Sequence, residues 1–299
     1  MTLSPALPRP DGAAPASVHF TKMEARGNDF VLLVAAEGGP QDWPPMARAL
    51  CARRWSIGAD GLLVLSGGGS APWRMRMFNP DGTEDMCGNG MRCIGVYLQT
   101  RGLLPAEGTE LETLAGRRRI RPIAQGVIEA DLGEPSLRPS DLPMAVEKNR
   151  AIDYPVEVNG ERWLVTGVSM GTPHAVLFTE QPVTEEVFQR VSPALETHPL
   201  FPERTTVTWV CVESREALRV RFWERAVGES LSCGTGACAA VVAARVKGLV
   251  GDEVRVRMRG GELSVRWEGH GSVYKTGPAR EVFEGEWRMA TDVRRREGG

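Results

Sequence analysis

Two segments of the chain are apolar at almost every position, and each directly follows a cysteine at a glycine-rich turn. Residues 237–244 read Ala-Cys-Ala-Ala-Val-Val-Ala-Ala, a run without a polar face, and the helical pattern continues to about Lys247. The segment after Cys87 is similar, runs to about Thr100 and stops before Gly102. A helix without a polar face must be buried on all sides. The pattern therefore predicts two central helices, each wrapped by other elements.

Short runs of β-favouring residues surround both helices. The predicted strands are 18–23, 30–34, 62–65, 73–78, several within 111–131, 162–169, 174–178, 206–212, 217–223, 253–258, 262–267 and 273–275. Helical spacing predicts two further helices at 43–53 and 185–191. The order of elements in the first half of the chain recurs in the second. We predict an α+β fold of two pseudo-symmetric halves, each a curled mixed or antiparallel sheet wrapped around a central apolar helix.

The boundary between the halves is expected in the proline-rich stretch 133–143. The first half would comprise residues 18–131 and return at about 274–288, and the second would comprise 132–273. Residues 1–17, rich in Pro and Ala, predict a disordered N-terminal extension. Residues 289–299 predict a flexible tail.

Composition narrows the class of function. Apolar residues make up 42% of the 299 positions, charged residues 25%, and the net charge is −2. No basic surface is implied, which argues against a nucleic-acid partner. No apolar run approaches the ~20 residues of a membrane span, and the first 17 residues lack the pattern of a signal peptide. We predict a cytoplasmic protein that does not act at a membrane.

The cysteines predict reduced thiols and no metal site. The chain has six cysteines, no Cys-x-x-Cys pair and only four histidines, which disfavours zinc. In a reducing compartment cysteines are thiols by default. Cys51, Cys93, Cys211 and Cys238 are interpreted as small buried hydrophobes.

The other two cysteines carry the chemical prediction. Cys-Gly-Asn-Gly at 87–90 and Cys-Gly-Thr-Gly at 233–236 each open an apolar helix. A helix N-terminus lowers a thiol pKa and offers free backbone N–H groups to an anion. Two such elements, one per half, would face each other across one site. Two thiols and two anion-binding turns suit the transfer of a proton from one face of a carbon to the other.

Seven short motifs, in this order along the chain, carry a resemblance to a known family. They are KMEARGNDF (22–30), GADG (58–61), FNPDGT (78–83), CGNGMRC (87–93), SMGTPH (169–174), ER (224–225) and CGTGAC (233–238). The chain resembles the diaminopimelate epimerases over roughly residues 18–288. The resemblance implies a pyridoxal-independent reaction at an amino-acid α-carbon, giving the meso isomer for lysine or cell-wall synthesis. It also implies that the reaction needs no cofactor.

The resemblance assigns roles to individual residues. Cys87 and Cys233 match the two family bases, and Glu224 lies next to the reacting centre. His174 has a supporting catalytic role or is a hydrogen-bonding core residue. The residues expected to hold substrate, through side chains or backbone N–H groups, are Asn28, Asn79, Gly88, Asn89, Thr172, Thr206, Arg225, Gly234 and Thr235. The partner is a small amino acid, and a homodimer is left open.

The predicted distal end of the site departs from the family pattern. Thr172 and Thr206 stand where the family usually has Asn, and a Thr hydroxyl does not reproduce the donors and acceptor of an amide. Ala226 also replaces a usual Gly. One alternative is therefore a cofactor-independent racemase of another amino acid, basic or histidine, with the same cysteine pair. An alternative of another class is a catalytically inactive amino-acid-binding homologue, although that would not explain why both thiols are retained.

Overall fold

The computed structural model describes residues 17–35 and 42–288 of the chain. These residues contain eighteen strands and four α-helices, joined by turns and loops. The elements of the first half are β1 (Ser17–Ala25), β2 (Asn28–Val34), α1 (Trp43–Cys51), β3 (Gly61–Gly67), β4 (Trp73–Phe78), β5 (Glu84–Asp85), α2 (Gly88–Thr100), β6 (Thr109–Thr113), β7 (Gly116–Ala124) and β8 (Val127–Asp131).

The second half follows a linker that contains a 3-10 turn at Pro139–Asp141. Its elements are β9 (Tyr154–Val158), β10 (Glu161–Ser169), β11 (Pro173–Thr179), α3 (Glu185–Glu196), β12 (Thr206–Ser214), β13 (Ala217–Glu224), β14 (Gly228–Ser230), α4 (Gly234–Val246), β15 (Glu253–Met258) and β16 (Gly261–Arg266). Two further strands, β17 (Tyr274–Pro278) and β18 (Arg280–Arg288), follow them.

The strand pairings repeat from one half to the other, which confirms the predicted two-repeat architecture. In the first half β1–β2 is antiparallel, β2–β3 parallel, β3–β4 antiparallel and β4–β6 parallel. In the second half β10–β11, β11–β12, β12–β13 and β13–β15 have the same directions in the same order. The sheet is therefore mixed.

Each repeat surrounds one helix. Helix α2 contacts β1, β4, β7, β8, β17 and β18, and α4 contacts β10, β11, β12, β13, β15 and β16. All eight residues of the apolar run 237–244 are fully buried. This confirms that a helix without a polar face needs partners on every side. The two central helices also contact each other.

The last two strands join the halves. Strand β17 pairs with β16 of the second half and with β8 of the first, from Tyr274↔Asp131 to Pro278↔Val127. Strand β18 then pairs along β1, from Ser17↔Arg288 to Glu24↔Arg280. These pairings support the division that we propose, 18–131 with 274–288 and 132–273. The predicted extension and tail lie outside the described residues, except Ser17, which begins β1.

Several element bounds differ from the sequence prediction. Helix α3 continues to Glu196 through Pro193, where the prediction ended it at Val191. Helix α4 begins at Gly234, three residues before the predicted start, because Cys233 is its N-cap residue. The prediction missed β5, β9, β14 and β18. Most β18 side chains are exposed or half-buried, so the strand lacks the apolar signal that prediction depends on.

Candidate active site

Cys87 and Cys233 occupy equivalent places in the two repeats. Each is the N-cap residue of a central helix, with extended backbone angles of φ −135°, ψ 109° and φ −117°, ψ 112°. The Cys87 Sγ accepts a hydrogen bond from the Gly90 N–H at 3.3 Å. The Cys233 Sγ lies 3.6 Å from the Thr235 Oγ1. The local structure therefore presents each thiol beside free N–H groups at a helix N-terminus.

The two helix N-termini meet at their first glycines. A Cβ added to Gly234 would lie 3.2 Å from the Asn89 Oδ1 of the other helix and would overlap the Lys275 Nζ. A Cβ on Gly88 would lie 3.1 Å from the same Nζ and 2.7 Å from a Leu132 methyl. A side chain at either position would therefore have to displace the Lys275 ammonium or the Leu132 methyl. The sequence predicted glycine for close approach of a ligand, and in the structure the buried Lys275 side chain also approaches both glycines.

Burial dominates the electrostatics of the two thiols. Removal from water raises the pKa of Cys87, against the Gly90 N–H and the positive charge of Lys275, which lower it. Burial raises the pKa of Cys233 as well, and the neighbouring Glu224 carboxylate raises it further. The sequence-based expectation of lowered thiol pKa values is therefore wrong for this structure, because desolvation outweighs the helix N-termini.

Asn28 and Asn89 belong to one hydrogen-bonded chain. The Asn89 Nδ2 donates to the Asn28 Oδ1 at 3.2 Å, and the Asn28 Nδ2 donates to the Asp60 Oδ2 at 2.8 Å. Asp60 in turn accepts from Arg53 at 2.7 Å. This series of hydrogen bonds fixes the orientation of both amides beside the N-terminus of α2.

A second group of predicted residues lies at the ends of three neighbouring strands. The Thr172 Oγ1 is 3.2 Å from the His174 Nε2, and His174 pairs with Thr206 across β11 and β12. The Thr206 Oγ1 accepts from the Arg225 N–H at 3.2 Å. His174 is 1% exposed, and burial with the nearby Arg225 lowers the pKa of His174 to about 3. This imidazole is therefore neutral near pH 7.

Glu224 is the last residue of β13, Arg225 begins the turn to β14, and Glu196 of α3 holds that turn. The buried Glu196 carboxylate accepts from the Ala226 N–H and from the Trp223 Nε1, both at 2.8 Å. Ala226 itself has a φ of 61°, in the left-handed region that favours glycine. The turn thus keeps Glu224 near Cys233 and leaves the Arg225 side chain exposed.

Asn79 is the predicted site residue that the described contacts do not join to the others. Its Nδ2 donates to the Thr83 Oγ1 at 3.1 Å within the turn after β4. The half-buried amide stabilises its own turn.

Sequence reasoning missed four residues of the site as positioning groups: Asp60, Arg92, Glu196 and Lys275. Arg92 is fully buried, and its Nη2 donates to the Asn89 Oδ1 at 2.7 Å. One sequence feature could have indicated Lys275. It lies on a strand in which buried and half-buried positions alternate, and positions 275 and 277 share the buried face. An ionic residue on that face indicates a specific partner.

The described residues contain neither a cluster of potential metal ligands nor a helix suited to span a membrane. Within residues 17–35 and 42–288, no three His, Cys, Asp or Glu side chains lie close enough together to hold a metal ion. No helix in the same residues is long and apolar enough to cross a membrane.

Comparison with known proteins places the chain in a family. A model of the family described as diaminopimelate epimerase matches residues 20–138 and 166–282. The chain belongs to the diaminopimelate epimerase family. A relative named diaminopimelate epimerase from Moorella thermoacetica is 47% identical over 279 residues, covering 90% of this chain and 99% of its own. Another of that name from Pelotomaculum thermopropionicum is 42% identical, covering 92% and 100%.

Solved structures resemble this member of the family in fold. A phenazine biosynthesis protein of the PhzF family from Bacillus anthracis has a TM-score of 0.66 at 18% identity, covering 92% of this chain and 100% of its own. A hydroxyproline epimerase from Agrobacterium vitis has a TM-score of 0.65 at 15% identity, covering 91% and 93%. Together they confirm the two-repeat architecture.

Proposed function

We propose that this protein epimerises LL-diaminopimelate to meso-diaminopimelate with Cys87 and Cys233 as the two bases. The observation that carries the proposal is that these cysteines cap two central helices whose N-termini meet. Membership of the diaminopimelate epimerase family, with a relative of that name 47% identical, supports the substrate.

The proposed reaction needs no external oxidant or cofactor. One cysteine, as thiolate, takes the α-proton, and the electron pair left on Cα delocalises into the α-carboxylate. The other cysteine, as thiol, donates its proton to the opposite face of Cα. The product then has inverted configuration, and the two cysteines have exchanged protonation states. Each half of the molecule thus supplies the base for one face.

Stabilisation of the carbanion comes from the two helix N-termini. The N–H groups of Gly88, Asn89, Gly234 and Thr235 would receive the α-carboxylate, where charge builds up. Burial raises the pKa of both thiols, so the thiolate form of the acting base depends on nearby positive charge such as that of Lys275.

The remaining predicted residues would hold the rest of the substrate. Arg225 would bind the distal carboxylate, since its guanidinium matches carboxylate geometry. Asn28 and Asn79 would contact the substrate, while Glu224 lies beside Cys233. His174 would have a supporting catalytic role as a neutral imidazole.

A second candidate keeps the mechanism and changes the amino acid. Thr172 and Thr206 form the distal cluster, and the hydroxyl of each is already bonded to His174 or to Arg225. A site of this kind offers fewer amide contacts to a distal ammonium and carboxylate. A racemase of another amino acid, basic or histidine, is therefore the alternative. For either enzyme we propose a cytoplasmic location and assembly as a homodimer.

The experiment is α-proton exchange in deuterated water across a panel of free amino acids. We expect incorporation at Cα of diaminopimelate without added pyridoxal phosphate. Faster exchange of another amino acid would select the second candidate. Absence of exchange with every panel member would contradict the proposed activity and favour an amino-acid-binding protein.

A further inference from the structure

Lys275 is an ammonium group buried between the two catalytic helices. Its side chain extends from β17, the strand that joins the halves, and the residue is 0% exposed. Its Nζ lies against the first residues of both helices, Gly88 and Gly234. Among described residues, its one hydrogen bond goes to the Asn89 Oδ1 at 3.0 Å.

The surroundings of Lys275 are positively charged. The Asn89 Oδ1 accepts from Lys275 and from the buried Arg92, and Arg92 also donates to the Pro278 carbonyl at 3.2 Å, so the hydrogen bonds that both cations make among the described residues go to neutral acceptors. The Arg92 Nε has no hydrogen-bond partner among the described residues. The positive ends of two helix dipoles add to these charges. Buried cations are normally paired with anions, so this cluster favours negative charge at the N-termini of the two helices.

We propose that Lys275 is a positioning residue for the reaction: its ammonium keeps positive charge beneath the two helix N-termini, where it favours the Cys87 thiolate, the substrate α-carboxylate and the carbanion derived from it. This inference rests on the proposed function. Lys275 acts through the helix N-termini and Asn89, and its full burial keeps it out of contact with solvent. Glycine at 88 and 234 is what allows the ammonium to approach both N-termini.

The groups that face Lys275 determine its protonation. They are Arg92 and Cys87 from α2 and its N-cap, and Cys233 and Cys238 from α4 and its N-cap. Burial and Arg92 lower the pKa of Lys275 to about 8, whereas the three thiols raise it when ionised. The ammonium is therefore charged at pH 7 and titrates just above it.

Lys275→Met tests the role of the charge, because methionine has a similar length and leaves Asn89 bonded to Arg92. We expect kcat/KM for α-proton exchange to fall on the order of ten- to a hundred-fold, since a unit charge at an effective dielectric constant near 20 has an effect of that order over several ångströms. We also expect slower alkylation of Cys87 by iodoacetamide between pH 7 and 8, resolved by peptide mass spectrometry.

Thermal unfolding separates this role from a merely structural one. Removing a buried charge should leave the melting temperature equal or higher, whereas loss of a structural contact would lower it. Lys275→Gln is the second variant, because it keeps a donor for Asn89 without the charge. Lys148→Met, at an exposed lysine beside Tyr154, is the matched control and should change none of the readouts.

Two results would overturn the proposal. One is a folded Lys275→Gln or Lys275→Met with kcat/KM and Cys87 alkylation within two-fold of the parent. The other is failure of both variants to fold, which would make Lys275 a structural residue. If the parent exchanges no α-proton, the proposed function fails, while the alkylation rates still decide whether Lys275 favours the thiolate.

Discussion

The residues of the site combine chemical reactivity with burial, and burial sets their protonation. Both capping thiols have raised pKa values, and His174 has a lowered one. The site is therefore close to neutral at the thiols and imidazole before substrate arrives. Positive charge is held by Lys275 and Arg92 beneath the helix N-termini. The α-carboxylate of a bound amino acid would bring negative charge to this part of the site.

Replacing either capping cysteine should abolish epimerisation. Cys87→Ala and Cys233→Ala each remove the base for one face of Cα, and no other described thiol caps a central helix. The measurement is conversion between LL and meso isomers by chiral chromatography. Cys93→Ala and Cys238→Ala are matched controls, because these thiols are buried inside the same two helices. Normal conversion by either capping variant would contradict the two-base mechanism.

The distal threonines should determine specificity. Asparagine at 172 and 206 would add amide contacts to a charged group, each worth about 1.5–3 kcal/mol. We expect Thr172→Asn with Thr206→Asn to raise diaminopimelate exchange by up to roughly two to four decades at ~1.4 kcal/mol per decade, if the parent lacks those contacts. Rates for diaminopimelate and for the best other amino acid are compared in parent and variant. Efficient turnover by the parent and no gain in the variant would show that the threonines are neutral.

Buried neutral His174 should make stability depend on acid pH. In the folded protein the pKa of His174 is about 3, below the usual 6.5. Its contribution to the free energy of unfolding is therefore complete above pH 6.5 and is lost as pH falls toward 3. We expect a loss of about 1.4 kcal/mol per pH unit within that window. Urea unfolding across this pH range measures the free energy of unfolding of the parent and of His174→Gln. Because the carboxylates are the same in both proteins, the difference between the two curves reports the contribution of His174. An identical pH dependence would show that His174 is not the group responsible.

At the scale of elements, turns place the functional side chains, and one of those turns is strained. Ala226 has a φ of 61°, in the turn that carries Glu224 and Arg225. Its N–H is held by Glu196, which also bonds Trp223. Thus a carboxylate on α3 supports a turn on β13 across the second half.

Ala226→Gly should therefore stabilise the protein. The left-handed conformation costs an L-residue about 1–2 kcal/mol, and glycine loses about 0.5–1 kcal/mol in chain entropy, which leaves a gain of up to about 1 kcal/mol. We expect the melting temperature to rise by roughly 1–3 °C. Ala106→Gly, at an exposed alanine that is not among the positive-φ residues, should lower it slightly. A loss of stability in Ala226→Gly would show that the turn is not strained.

Elements with strong local signals could be predicted from the sequence. The bounds of β4, α2 and β15 agree with the sequence pattern, because apolar runs and glycine stops are local. The exposed strand β18 could not be found in this way, since β1 pairs with it across more than 250 residues. The same holds for Lys275 and Glu196, whose partners lie in other elements.

At the scale of the whole molecule, one site is built from both repeats. Each repeat supplies a capping cysteine, and β17 binds the repeats together through β8 and β16. The same strand carries Lys275 into the junction of α2 and α4. In the proposed reaction the duplicated fold would thus supply one base from each repeat.

The meeting of the two helix N-termini should make the enzyme sensitive to oxidation. A disulfide requires Cα atoms about 4.4–6.8 Å apart, and the Gly234 Cβ position lies 3.2 Å from the Asn89 side chain of the opposite helix. We expect the halves to close without substrate and to bring Cys87 to Cys233. We expect diamide to abolish α-proton exchange and dithiothreitol to restore it. Inactivation should be faster above pH 8, because thiolate is the attacking form and burial raises both thiol pKa values.

Peptide mapping of the oxidised enzyme identifies the bond. We expect a peptide joining Cys87 to Cys233, and we expect Cys238→Ala to remain as sensitive as the parent. Substrate bound between the thiols should slow the inactivation, because it keeps the two sulfur atoms apart. Full activity after oxidant treatment, with both thiols still free, would show that the capping cysteines of the two repeats do not approach each other closely enough to share one carbon.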